Sequence, residues 1–161
     1  MEKIGIGYDS HRFIEGRPLR IGGVTIPYKS GLLGHSDGDV LIHSVIDAIL
    51  SVSNLPDIGV VFPQTQAKWK DIDSRILLEK ANKMVLEKGN KVVSMDSTVI
   101  LEEPLLNPYI PQMKKEISRI LGVPCENIGI KAKTNEGMGF IGRKEGIAAI
   151  CIVVVTTHLD K

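Results

Sequence analysis

Three observations predict an α+β fold, a mixed β-sheet with helices packed on one of its faces. Strand-like and helix-like segments follow in the order strand, strand, helix, helix, strand, helix, strand, strand, rather than in strict alternation. Aliphatic residues recur with a helical period in three segments and with a strand-like pattern in five others. Aromatic residues make up 4% against 43% for all apolar residues, so the core must be built from Ile, Val, Leu and Met. The 161 residues show no repeat or low-complexity linker and fit one domain spanning 1–161. A chain of this size removes roughly 70% of its surface from water on folding.

Lys3 to Tyr8 reads as a first strand, and Leu19 to Ile26 as a second, interrupted by a turn or bulge at Gly22-Gly23. The connection between them begins with Asp9-Ser10-His11. Ser36-Asp37-Gly38-Asp39 has the Ser-x-x-acid form of a capping box and predicts a helix from Asp37 to Val52. Residues 54–71 hold Asn, Pro, Gly, Gln and the chain's Trp without periodicity, and a loop that long is a candidate lid. Asp73 is placed to cap a second helix with Ile76, Leu77, Ala81, Met84 and Val85 on one face and Gly89 at its end. Lys91 to Glu102 reads as a strand and Pro104 to Pro111 as a loop. A third helix then runs to Leu121, burying Met113, Ile117, Ile120 and Leu121. Asn127 to Thr134 and Ile147 to Thr157 complete the strands, and the last, almost wholly apolar, belongs in the sheet's centre. The other face of such a sheet needs a cover, and another copy of the chain is the simplest one, so a homo-oligomer is expected.

A formal net charge of +1 gives no whole-molecule field to draw the chain onto nucleic acid or an anionic membrane. Cys125 and Cys151 lie far apart without C-x-x-C spacing, as reduced thiols in a cytosol-like compartment do. The first residues show no signal or transit pattern, and the longest apolar run, Ile147 to Val155, is too short for a membrane span. The expected location is the cytoplasm, or a plastid-type organelle had a transit segment been removed.

Asp9-x-His11 at a strand end puts two side chains on one side of the backbone, as two ligands sharing an ion require. His43 offers a third, one turn after Asp39 and one before Asp47 on the predicted helix. Three of the chain's four histidines precede residue 44, among Asp9, Asp37, Asp39 and Asp47. Two nitrogens and one carboxylate oxygen leave a tetrahedral position open, which is how catalytic zinc is held. Asp39 or Asp47 is expected to accept the spare imidazole N–H of His43. His35 and Ser36 stand just before a helix N-terminus, where an anion such as phosphate is favoured. In the segment 131–146, four glycines accompany Thr134, Glu136 and Arg143, suiting a loop that approaches phosphates while Glu136 helps hold a magnesium-like ion.

Asp9-Ser-His11, His35-Ser-Asp-Gly-Asp-Val-x-x-His43, Asp57-Ile-Gly59, Glu103-Pro104, Ile110-Pro-Gln-Met113 and Lys131 through Gly146 together carry a resemblance that runs in order over essentially the whole chain. They resemble the 2-C-methyl-D-erythritol 2,4-cyclodiphosphate synthases of the non-mevalonate isoprenoid pathway. The resemblance implies a homotrimer with active sites between subunits. It also implies a phosphorus-oxygen lyase that converts 4-diphosphocytidyl-2-C-methyl-D-erythritol 2-phosphate to the cyclic diphosphate plus CMP.

Carried to matching positions, it implies zinc or another divalent transition metal on Asp9, His11 and His43, and magnesium or manganese on Glu136. His35 and Thr134 would stabilise the transition state. Substrate would meet Asp9, Ser10, His11, His35, Ser36, Asp57, Ile58, Gly59 and Phe62. The cytidine pocket would draw on Pro104, Leu105, Leu106, Lys133, Thr134, Asn135 and Glu136 of an adjacent subunit. Phe140 and Arg143 would lie near the phosphates and the three-fold axis, where some members hold an isoprenoid diphosphate in a central cavity. Gln64 and Gln66 replace acids common in the family's Phe-Pro loop, Leu105 a frequent basic residue and Lys133 a frequent Thr. Two other readings of the same residues are a metal-dependent phosphohydrolase with water as nucleophile and a trimeric metal- or nucleotide-binding module without turnover.

Overall fold

A computed structural model describes residues 1–157; the last four positions of the expected domain lie outside the described residues. The chain opens with β1 (Glu2–Glu15), the short strands β2 (Leu19–Ile21), β3 (Val24–Ile26) and β4 (Ser30–Leu32), and the helix α1 (Val40–Val52). It continues through α2 (Ile58–Val61), α3 (Ser74–Glu87), β5 (Asn90–Ile100), α4 (Ile110–Leu121), β6 (Ile128–Lys133), α5 (Gly139–Gly142) and β7 (Gly146–Thr157). Among these residues the main sheet has the order β4-β1-β7-β5-β6, all neighbours antiparallel except the parallel pair β5 and β6, so the fold is a mixed-sheet α+β layer. The apolar β7 lies at its centre, as its composition predicts.

One face of the sheet carries the helices. α1 lies against β1 and β7, α3 against α1 and β5, and α4 against α3 and β6. The close seat of α1 on β1 depends on Gly5 and Gly7, where a Cβ would strike the Ala48 and Ser44 carbonyl oxygens. Met113, Ile117, Ile120 and Leu121 of α4 are all buried, and Gly122 ends that helix in the left-handed conformation. The opposite face is open. Ile4, Ile6 and Tyr8 of β1 stand beside Val154, Ile152 and Ile150 of β7, with Ile4 74% and Ile6 63% exposed.

Several expectations need correction. β1 does not end at Tyr8: Asp9 pairs with Ala149 and His11 with Ile147, so Asp9-Ser10-His11 lies within the strand, where β7 satisfies its backbone groups. Leu19 to Ile26 is a hairpin of two strands turning at Gly22-Gly23, and β4 and α5 carry too few periodic residues to be read from the pattern. α1 begins at Val40 rather than Asp37. Gly38, at φ 74, breaks the backbone before it, and Asp39 rather than Ser36 is the cap, accepting the Ile42 N–H. The 54–71 segment contains α2 and a 3-10 turn at Ala67–Trp69. On α3 the buried stripe is Ser74, Leu77, Leu78, Ala81, Asn82 and Val85, which leaves Ile76 exposed.

Asp39 ties the hairpin to the helix. Its fully buried carboxylate accepts from the N–H groups of Gly22, Gly23 and Ile42. Burial, and then Asp37 beside it, push its pKa above the ordinary value, and the three backbone donors oppose them.

Candidate active site

β1 and α1 bring the three expected ligands together. Strand alternation puts Asp9 and His11 on the face that α1 covers, and His43 reaches them from the helix's first full turn. Asp9 Oδ2 lies 2.7 Å from His11 Nε2, His11 Nε2 lies 3.0 Å from His43 Nδ1, and His43 Nδ1 lies 3.1 Å from Asp9 Oδ2. Donor atoms around a tetrahedral ion at about 2.0 Å stand roughly 3.3 Å apart, so this triangle needs only slight expansion to hold one. Burial disfavours charge on both Asp9 and His11, but the bonds between them prevail. Those from His11 and His43 hold the Asp9 carboxyl down at about 2, and Asp9 raises His11 above its usual value. Three donors converge on a point that favours positive charge, an arrangement suited to hold a divalent cation.

The outward nitrogens are pinned. His11 Nδ1 donates to the Leu33 carbonyl at 2.6 Å, which leaves Nε2 facing the site. His43 Nε2 lies 2.8 Å from Ser74 Oγ and 3.0 Å from Ser36 Oγ. Neither Asp39 nor Asp47 takes the spare His43 N–H, contrary to expectation. Asp39 is committed to backbone groups, as described, and Asp47 accepts the Ile58 N–H at 2.8 Å, positioning α2.

The triangle opens into a cavity of about 140 Å³ walled by His35, Ser36, Ile58, Gly59, Phe62, Gln64, Trp69 and Leu77. His35, Ser36, Ile58, Gly59 and Phe62 thus line a cavity shared with Asp9, His11 and His43, and Trp69, stacked edge-on against Phe62 at 5.2 Å, joins them from the segment expected to be a loop. Asp57 is the cap of α2, accepting the Val60 N–H, and is not among the residues that line the cavity. Ser10 lines a second cavity of about 260 Å³ with His11, Arg12, Phe140, Glu145 and Gly146.

The remaining expected residues form a separate group. Among the described residues, the 140 Å³ cavity has no wall from Pro104, Leu105, Leu106 or from Lys133 to Arg143. Thr134 Oγ1 donates to Glu136 Oε1 at 3.2 Å, and Glu136 sits at φ 53 in the tight turn. That turn is held by Glu102, which accepts from the Asn135 and Gly137 N–H groups at 3.0 and 3.2 Å, a role the sequence did not suggest. Leu105 is 70% exposed, Lys133, Thr134 and Glu136 are exposed, and the Leu106 side chain is buried in the core. Arg143 pairs with Glu145 at 2.6 Å. No helix among the described residues is long and apolar enough to cross a membrane.

Fold and site together define an α+β class of protein in which three converging ligand atoms, placed to hold a divalent cation, open into a small pocket. The model of the YgbB family matches residues 2–156, and the chain belongs to that family. It is 50% identical over 155 residues to the 2-C-methyl-D-erythritol 2,4-cyclodiphosphate synthase of Caldicellulosiruptor bescii, covering 96% of this chain and 99% of the relative. The solved structure of the bifunctional IspDF from Campylobacter jejuni matches with a TM-score of 0.94 at 40% identity, over 98% of this chain and 43% of that one. A CDP-bound structure of 2C-methyl-D-erythritol-2,4-cyclodiphosphate synthase matches with a TM-score of 0.88 at 36% identity, over 96% of this chain and 100% of that one.

Proposed function

We propose that the chain, as a single-domain subunit of a homotrimer, converts 4-diphosphocytidyl-2-C-methyl-D-erythritol 2-phosphate to 2-C-methyl-D-erythritol 2,4-cyclodiphosphate and CMP. The observation that carries the reading is the donor triangle of Asp9, His11 and His43 opening into a small cavity walled by His35 and Ser36. Relatives matched over nearly the whole chain bear a synthase name that gives the cyclic diphosphate as product, which supports the reading.

In the reaction, an oxygen of the 2-phosphate attacks the β-phosphorus in line, a new P–O bond closes the ring, and the bond to the CMP oxygen breaks. Every reacting group is an anion, so the protein's task is positioning and charge neutralisation, and no protein nucleophile is required. Asp9, His11 and His43 would hold zinc or a similar transition metal, and Glu136 of a neighbouring subunit would help hold magnesium or manganese. The chemistry supplied at those positions by bound cations would be withdrawal of charge from phosphoryl oxygens. His35 and Thr134 stabilise the charge that builds up on the phosphates. Ser10, Ser36, Asp57, Ile58, Gly59 and Phe62 orient the 2-phosphate and erythritol portion, and the turn from Lys133 to Glu136 with Pro104, Leu105 and Leu106 receives cytidine. Phe140 and Arg143 face the three-fold axis, where an isoprenoid diphosphate can sit.

The trimer is supported by the open apolar face of β1 and β7 and by the exposure of the second residue group, which needs a facing surface to enclose a substrate. Turnover of the cytidyl substrate in oxygen-18 water tests the reaction. No label should enter CMP or the cyclic product, and label in CMP or in a linear diphosphate would establish hydrolysis instead.

A further inference from the structure

We infer that Ser74 and Asp37 are positioning residues that lock His43 in the tautomer presenting the Nδ1 lone pair to the metal. Ser74 is fully buried at the first turn of α3, and its hydroxyl donates to Asp37 Oδ1. The carboxylate of Asp37 is fixed from two further sides: Oδ2 accepts the Ser74 N–H at 3.0 Å and Oδ1 accepts the Asp39 N–H at 3.1 Å. Both Asp37 oxygens are therefore acceptors, and the shared proton belongs to Ser74.

A serine hydroxyl has one proton. With that proton given to Asp37, Ser74 Oγ can only accept from His43 Nε2, 2.8 Å away. Nε2 must carry the ring proton, and Nδ1, the atom facing Asp9 and His11, is left with its lone pair. Ser36 Oγ, at 3.0 Å, is the longer partner of the same N–H. It holds no fixed carboxylate of its own, so its proton does not dictate the ring's tautomer. The chain from Asp37 through Ser74 to His43 also couples the metal ligand to the N-terminus of α3, a link between residues 31 positions apart.

Zinc affinity, measured by competition with a chromophoric chelator, tests the role. Ser74→Ala should bind zinc about 10- to 100-fold more weakly than wild type, and Ser74→Thr, which keeps the hydroxyl, should recover most of the loss. Asp37→Asn should weaken binding as well, because the amide frees the Ser74 proton to turn toward His43 Nε2 and favours the wrong tautomer. Ser97→Ala, which removes a buried hydroxyl bonded to the Gly129 carbonyl, should leave zinc affinity unchanged. Thermal melts of the metal-free proteins separate loss of affinity from loss of fold. If Ser74→Ala does not fold, Asp37→Asn decides the matter. Wild type that takes up no zinc would overturn the metal site itself. Zinc uptake by wild type, with folded Ser74→Ala and Asp37→Asn within about twofold of it, would overturn only the positioning role.

Discussion

The two groups of functional residues differ in completeness. Around Asp9, His11 and His43, each outward imidazole nitrogen has a partner within the chain: Leu33 for His11, and Ser74 and Ser36 for His43. The Thr134–Glu136 turn is secured from behind by Glu102, but Thr134 and Glu136, bonded to each other, are exposed to solvent. A site finished inside one chain can bind its metal alone, whereas the second group has fixed geometry and no surface to close against. The difference fits the proposed division of labour, in which one subunit would provide the metal and phosphate pocket and its neighbour would bring the cytidine turn.

The largest effect should come from the enclosed half. His43→Ala removes one of three donors, and cyclisation measured at saturating substrate should fall by about a thousandfold, the scale of several kcal/mol of lost charge stabilisation. Activity within tenfold of wild type would mean that the metal is incidental.

Next in size is a substitution on the open sheet face. Ile152→Asp is harmless to an isolated subunit, since Ile152 is 45% exposed, but would bury a charge between copies. Light scattering should show monomers, and activity should drop by about a hundredfold or more with zinc binding retained. A trimer that persists would place the interface elsewhere.

Glu102→Ala should act on the second half alone. It removes the acceptor of two backbone N–H groups and costs about 1.5–3 kcal/mol of order in the turn, so KM for the cytidyl substrate should rise by about tenfold or more at unchanged zinc affinity. A change in zinc affinity instead would join the two regions.

The smallest effect concerns stability. Burial opposes charge on Asp73, but its bonds with Arg75, and then Arg20, outweigh that and lower its pKa below 3.8. Its charge therefore adds stability that is fully present above pH 3.8 and is lost as pH falls through the lower folded-state value. Asn still caps a helix, so Asp73→Asn should lower stability by only about 0.5 kcal/mol near neutrality, and the gap in melting temperature should close in acid.

Elements whose periodicity spans several turns were legible from sequence. α4 buries the four residues its pattern names, and the apolar run of β7 sits at the sheet's centre. The Asp9, His11 and His43 group was legible because Asp9 and His11 obey strand alternation and His43 lies in the first turn of a strongly patterned helix. What sequence spacing conceals is which acceptor each polar group finally takes. Asp39 and Asp47 share a helical stripe with His43, yet backbone N–H groups of Gly22, Gly23, Ile42 and Ile58 claim their carboxylates, and the partner of His43 comes from α3. The length of β1 was hidden for a similar reason, since the polar run from Asp9 becomes a strand only because β7 supplies its ladder.

Mixed trimers test the division of labour most directly. His43→Ala and Glu136→Gln chains, each inactive alone, are unfolded and refolded together in equal amounts, and cyclisation is measured. If each site joins the metal half of one chain to the turn of the next, about one site in four pairs two intact halves, and the mixture should regain up to about a quarter of wild-type activity. A mixture that forms trimers and stays as inactive as its parents would show that both halves of a site come from the same chain.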